Sequence, residues 1–459
     1  MVSAITTKGM AVKAEGDHLL IKFAEEDDIN PPIPEPEPPP NGTLGCDPSV
    51  KDGTFDLSVY DIPAAKTPIV TLEQFGGAVG SDSTEALRDA LNSIRGGGTL
   101  ELGNGMYGLK GDSRFSGLRD VTIKGHGWGS GFYAVDQPWP GSEWRALMEF
   151  DSPTNLVVAR LEIDGRGQKI GHIRYWNDTG TWFAGLWCHD IGGSATGSRQ
   201  IPLAAIKGSD VSTDHHCVAC YVNKGWGDGR STSGVRGIWG PQEDKGFDGC
   251  LWEHLWVEDM GHTGLVPSGG KGAQTIVRNC TSIDNKGAAI KTETPTSYRD
   301  ANGWLTWFPE DYTVLISRCV LQRCVFHGVQ FEGAGTSVEE CFMEGNHQNG
   351  CASFDRNFRN LFRNNVMQDS REAGIWFSSR DTRPFGELQV DHNTIDGPLP
   401  RGGVAFHQRC TNPQGAIVIA ENKVQAGKEP VLVTSEISAH SGYHEVNNGT
   451  GGEGAQLPE

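Results

Sequence analysis

Hydrophobic and polar residues alternate in short recurring phrases along most of this chain. One phrase opens on an apolar residue, Cys or Asn and runs any residue, apolar, polar. Examples are Leu161-Glu162-Ile163-Asp164, Leu186-Trp187-Cys188-His189, Cys220-Tyr221-Val222-Asn223 and Leu255-Trp256-Val257-Glu258. Further openings fall at Cys280, Cys319, Cys341, Asn365, Asn393 and Asn422, and only Ser282 breaks the rule for the third position. A second phrase, Gly followed by an alternating strand, interleaves at Gly264, Gly287, Gly328, Gly350, Gly374 and Gly403. The period is 22 to 29 residues, apart from insertions. Short strands on such a period, each too thin to bury its own inner face, predict a solenoid of stacked coils. Ten coils at about 4.8 Å each give a rod of roughly 50 Å.

Stacking predicts rows of like residues. Val329, Cys351, Ile375 and Val404 form one inward row, and Ile290, Phe331, Phe377 and Phe406 another. Asn365, Asn393 and Asn422 share a column in which side-chain amides bond along the rod. One helix is predicted, from Ser83 to Arg95, with Ala86, Leu87, Ala90, Leu91 and Ile94 as its apolar stripe and Gly96-Gly97-Gly98 as its stop. It caps the open N-terminal end of the stack against edge pairing. The predicted class is all-β, a parallel β-helix with a short capping α-helix.

Composition narrows the function. The 459 residues carry 39 Lys+Arg against 58 Asp+Glu, a formal net charge of −19, which disfavours nucleic acid as a partner. No apolar run reaches the roughly 18 residues of a membrane span. Met1 to Met10 lack a basic and then apolar leader, so no signal peptide is expected. The eleven Cys residues read as reduced, buried thiols.

Residues 1–30 contain a predicted hairpin, Ala11-Val12-Lys13 and Leu19–Phe23 around Glu15-Gly16-Asp17, and form a small attachment segment. Residues 31–43 are a Pro-rich spacer expected to be stiff. A connecting segment spans 44–70, the β-helix 71–440, and a Gly-rich tail 441–459.

The stretch Gln74-Phe75-Gly76-Gly77-Ala78-Val79-Gly80-Ser81-Asp82, followed by Gly97-Gly98-Thr99-Leu100-Glu101-Leu102 and Gly105-Met106-Tyr107, resembles the entry to the pectate-lyase-like β-helices. The resemblance covers about 70–440. It implies a right-handed, single-stranded parallel β-helix of the kind found in polysaccharide lyases, glycoside hydrolases, uronan epimerases and bacteriophage tailspikes. With the N-terminal module and stalk, it implies a tailspike-like virion protein, made in the host cytoplasm and trimeric, that binds and depolymerises a host surface polysaccharide. Residues 1–43 would then engage virion structural proteins. A non-catalytic adhesive virion protein and a free, extracellular polysaccharide lyase or hydrolase are the alternatives. No cofactor or metal is expected.

In a solenoid the outward residues of one flat sheet form a long shallow groove suited to a polymer. Reading outward along the Gly-initiated strands gives Val266 and Ser268, Ala289 and Lys291, Gln330 and Glu332, Ala352 and Phe354, Trp376 and Ser378, Ala405 and His407. The turn beyond adds Glu293, Asp355, Arg356, Arg380, Asp381 and Arg409. Glu332 and Asp355 are expected at one lateral position on consecutive coils, with Glu293 on the coil before, the arrangement glycoside cleavage needs. Lys291, Arg356, Arg380, His407 and Arg409 supply the basic groups that elimination from a uronic acid would use. Gly261-His262-Thr263-Gly264-Leu265 and Ala289-Ile290-Lys291-Thr292 also resemble polygalacturonase coils, which places His262 at a substrate. The aspartate pair that precedes the histidine coil in that family is not matched in Gly237–Asp244. Trp304 and Trp307, in the insertion 294–311, are expected to overhang the groove and stack on sugar rings.

Overall fold

The computed structural model describes residues 10–15, 18–23, 44–111, 113–135, 145–192, 203–226, 234–240, 247–269, 274–293, 312–332, 334–353, 358–378, 385–410, 412–425 and 428–451. The chain divides into two units, 1–43 and 44–458. In the first, strands Met10–Glu15 and His18–Phe23 pair antiparallel, the hairpin expected around Glu15-Gly16-Asp17.

The second unit is a right-handed parallel β-helix. Its strands fall into three long sheets of 14, 13 and 13 strands, and each strand pairs with the strands one coil before and one coil after. The stack begins at Ile69–Thr71 and continues through Tyr443–Val446 and Gly449–Gly451. It therefore holds more coils than the ten expected and extends past residue 440.

From Arg160 onward the coils turn sharply between the first and second sheets at a single residue in the left-handed region. Arg160, Ala219, His254, Asn279, Arg318, Glu340, Asn364, His392 and Glu421 all have φ between 50° and 56°. Such a conformation costs a residue with a Cβ roughly 1–2 kcal/mol. The residue that follows the bend is the opening residue of the first phrase, and it faces inward. Its column runs Leu161, Leu186, Cys220, Leu255, Cys280, Cys319, Cys341 and then Asn365, Asn393, Asn422, all almost fully buried. The Asn365 amide donates to Asn393 Oδ1, Asn393 to Asn422 Oδ1, and Asn422 to Asn448 Oδ1, each at 2.9 Å. Side-chain oxygens of this ladder also accept backbone N–H groups at the bend, Asn365 Oδ1 from Cys341 and Asn393 Oδ1 from Asn365, both at 3.0 Å. The ladder thus satisfies the polar groups that the bend frees. All eleven cysteines are free and buried, as expected. Ser282, the exception, is buried with its hydroxyl donating to Ala289 O at 2.9 Å.

Helix α1 spans Thr84–Ser93, two residues shorter at its C-terminal end than the predicted stop. Ala86, Leu87, Ala90 and Leu91 join the main core. A four-residue helix, α2, Ser435–Ser438, lies near the other end.

Residues 44–62 do more than connect. They run backwards along the outside of the stack, against its winding direction. Gly45 N–H donates to Arg318 O and Cys46 N–H to Thr281 Oγ1, both at 2.9 Å. Lys51 pairs with Glu258 at 2.9 Å, and the Phe55 ring lies 5.0 Å from that of His254. Cys46, Val50 and Leu57 then share a cluster with Val157, Ala184, Val218 and Tyr221. This strap spans several coils before the chain enters the first sheet.

Candidate functional site

The third sheet carries the candidate site on its outer face. Its register corrects the expected alignment. Ile290 stands opposite Val329, Lys291 opposite Gln330, Thr292 opposite Phe331 and Glu293 opposite Glu332. Ile290 therefore belongs to the row of Val329, Cys351, Ile375 and Val404, and Thr292 takes the place assigned to it beside Phe331. The physical cause is local. Ala289, not Gly287, stands opposite Gly328, so the strand starts two residues later than the glycine implies. A slip of two preserves which side faces out but moves each residue one place along the groove. Glu293 is consequently a strand residue, within Ile290–Glu293, and not part of the turn.

Glu332 thus has Glu293 directly opposite it on the coil before. Asp355, Arg356, Arg380, Trp304 and Trp307 lie outside the described residues.

Four of the expected residues form one cluster. Lys291 Nζ lies 2.9 Å from Glu293 Oε1 and 3.1 Å from Glu332 Oε2. Gln330 Nε2 donates to Glu332 Oε1 at 2.9 Å. Two more residues close the cluster. Arg236 Nη1 is 3.7 Å from Glu293 Oε1. His262, on the preceding corner, bonds through Nδ1 to Thr263 Oγ1 at 2.7 Å. Burial opposes the charge on Glu293, but Lys291 and Arg236 outweigh it and hold its carboxyl below the usual range. Burial, with Arg236 and Lys291 adding to it, pushes His262 down to about 3, so its ring is neutral at neutral pH.

Further along the same face, the outward column continues Gln330, Ala352, Trp376, Ala405 and Leu432. Trp376 packs with Ala352, Ala373 and Ala405, and the Arg401 guanidinium sits 4.6 Å from its ring. The His407 ring meets Trp376 edge-on at 5.6 Å, and the Arg409 N–H donates to His407 Nδ1 at 3.2 Å. Partial burial, then Arg409 and Arg401, lower the His407 pKa. Trp376 and His407 therefore share a wall with Glu332, but three coils or more from Lys291.

Several groups on this face were not anticipated. In the other direction the column runs Val266, Trp239, Lys207, Arg174, Glu149 and Arg114. Arg236 stacks 3.8 Å from the Trp239 ring and Lys207 Nζ lies 4.2 Å from it. Alternation in Ile173-Arg174-Tyr175-Trp176 and Ile206-Lys207-Gly208-Ser209 was the available signal. Those strands begin at Gly171 and Ala204 and extend for nine and ten residues, unlike the short Gly-initiated phrase.

One group of metal-type side chains occurs among the described residues, on the second sheet: Asp164, His189 and Asp190. Both nitrogens of His189 are already engaged, Nε2 with Glu162 at 3.1 Å and Nδ1 with Asp190 at 2.7 Å. Burial works against protonation, but these carboxylates raise the His189 pKa above its ordinary value. The carboxylates around it thus favour the protonated ring, in which neither nitrogen offers a lone pair.

Fold and site together define a right-handed parallel β-helix with a charged outer ledge. No protein-family model matches this chain, and no curated protein does. Solved structures match it in fold. The mannuronan C-5 epimerase AlgE6 A-module of Azotobacter vinelandii aligns with a TM-score of 0.54 at 16% identity, covering 84% of this chain and 100% of its own. The catalytic domain of a GH87 α-1,3-glucanase in complex with nigerose gives 0.53 at 12% identity, covering 84% and 69%. A tailspike protein of E. coli bacteriophage HK620 in complex with a hexasaccharide gives 0.51 at 12% identity, covering 83% and 78%.

Proposed function

We propose that this protein binds an extended polysaccharide along the outer face of its third sheet and hydrolyses it at Glu293 and Glu332. The observation that carries the reading is the cross-coil carboxylate pair bridged by Lys291. Two oxygens held by one ammonium are within about 6 Å of each other, which favours the retaining over the wider inverting geometry. Glu293, kept ionised by Lys291 and Arg236, serves as nucleophile. The more exposed Glu332 serves as the acid and then the base. Gln330, Trp376, His407 and Arg409 line the groove for the polymer. A saccharide-bound tailspike and a saccharide-bound glucanase among the structural neighbours support a glycan ligand.

The tailspike reading adds that the protein is a virion component, is a homotrimer, and attaches to the particle through residues 1–43. A second chemistry, elimination from a uronic acid, is favoured by one observation: neutral His262 lies beside Arg236 and Lys291, a base next to two cations that would neutralise a sugar carboxylate.

The test is incubation of the purified protein with bacterial capsule and lipopolysaccharide. New reducing ends without absorbance from unsaturated uronate support hydrolysis, and that absorbance supports elimination. Glu332→Gln and Glu293→Gln should each abolish reducing-end release. Full activity in either variant removes the pair from the mechanism, and binding without any cleavage leaves an adhesin.

A further inference from the structure

The ledge differs on the two sides of the carboxylate pair. On the C-terminal side its outward column is Ala352, Trp376, Ala405 and Leu432, with Arg401 over the Trp376 ring. On the N-terminal side cations and indoles interleave. Trp239 lies between Lys207 at 4.2 Å and Arg236 at 3.8 Å, and Trp176 between Arg174 at 5.1 Å and Arg114 at 4.7 Å. Asp151 answers Arg114 at 2.7 Å, and Glu149 stands opposite Arg174. Such a concentration is notable on a chain with net charge −19.

Arg236 shows what this half of the ledge lacks. Its side chain is only 8% exposed, yet Nε and Nη1 have no hydrogen-bond acceptor among the described residues. A buried guanidinium with unmet donors is costly unless an acceptor arrives. Its fixed fork suits a carboxylate better than a hydroxyl.

We propose that the N-terminal half of the ledge receives an acidic polysaccharide, with Arg236 donating to a sugar carboxylate, buried Trp239 backing its guanidinium, and the partly exposed Trp176 supplying an apolar platform for a ring. The polymer lies along the rod axis, because the rise of about 4.8 Å per coil is close to the rise of one sugar unit, so successive coils meet successive sugars. The carboxylate beside Arg236 then sits next to the Glu293–Glu332 pair, which makes Arg236 a specificity-determining residue. This rests on the glycan-binding reading and adds the charge of the ligand to it.

The experiment uses the full-length protein and a panel of purified acidic and neutral bacterial capsular polysaccharides. Each acidic member is also prepared in carboxyl-reduced form. Binding is followed by calorimetry at low and high NaCl. Acidic members should bind, with affinity falling as salt rises and dropping at least tenfold on carboxyl reduction. Arg236→Gln should cost at least tenfold for the acidic form and nothing for its reduced form. Lys207→Gln, at a partly exposed position, should give a smaller loss with the same selectivity, and so stands in if the Arg236 variant fails to fold. A neutral polysaccharide bound as tightly as any acidic one, with affinity unmoved by Lys207→Gln, overturns this inference and leaves the glycan-binding reading intact. Binding of no member overturns both.

Discussion

Lys291→Met isolates the electrostatics of the candidate site. Met keeps the length and apolar stem of the side chain and removes the ammonium that contacts Glu293 at 2.9 Å and Glu332 at 3.1 Å. Among the described residues, Arg236 at 3.7 Å is the cation that remains beside Glu293. Gross attraction at such distances is about 5 kcal/mol per pair at an effective dielectric of 20, offset by desolvation and by repulsion between the two carboxylates. Removing one member of a buried pair costs about 3–5 kcal/mol net. Glu293, Lys291 and their neighbours are largely buried, so the lower end, about 3 kcal/mol, is expected at pH 7. Because coils of a solenoid contact only their neighbours, the effect should be local. Native-state hydrogen exchange read by mass spectrometry should therefore show amides of Ile290–Glu293 and His327–Glu332 exchanging about a hundredfold faster, and those near α1 unchanged. The pH dependence supplies a second readout. The Glu293 pKa is depressed in the folded wild type, so the stability it contributes is present above the unfolded carboxylate value of about 4.3 and is lost as pH falls through the folded value. In the variant a carboxyl of the pair takes up a proton instead. The gap between the two proteins must shrink as pH falls below about 5. A loss under about 1 kcal/mol, or one that stays flat from about pH 4 to 8, would refute the reasoning.

Asn393→Ala should cost about 4 kcal/mol, since it strands the Asn365 N–H, the Asn365 amide and Phe362 O in a buried ladder, each worth about 1–3 kcal/mol; calorimetric melting checks it. Leu57→Ala, buried where the strap crosses Gly185, should cost about 2–4 kcal/mol and expose residues 44–62 to limited proteolysis before any coil is cut. His189 carries a raised folded pKa, so its stabilising contribution is complete below the unfolded value of about 6.5 and disappears as pH rises through the folded one. The melting temperature of the wild type should therefore exceed that of His189→Gln by more at about pH 6 than at about pH 9, and an unchanging difference removes the ion pairs with Glu162 and Asp190 from the account.

What was legible in the sequence followed from local chemistry repeated at a fixed phase. The column of Asn365, Asn393 and Asn422 could be read because each residue directly follows a one-residue bend, so sequence spacing and stacking agree. The same logic failed where the marker moved. Gly287 imitates the strand-opening glycine, but Ala289 holds that position, and so Glu293 was assigned to a turn. The N-terminal coils hid Arg174 and Lys207 in strands of nine and ten residues, Arg236 itself opens a four-residue strand, and the strap left no periodic trace at all. The consequence for the site is specific. Glu293 and Glu332 meet only through register, with Lys291 between them, so a slip of two residues in one strand would separate the carboxylates without changing which face any residue occupies. The buried row that fixes this register, Leu265, Ile290, Val329 and Cys351, is therefore as necessary to the pair as the charged groups themselves.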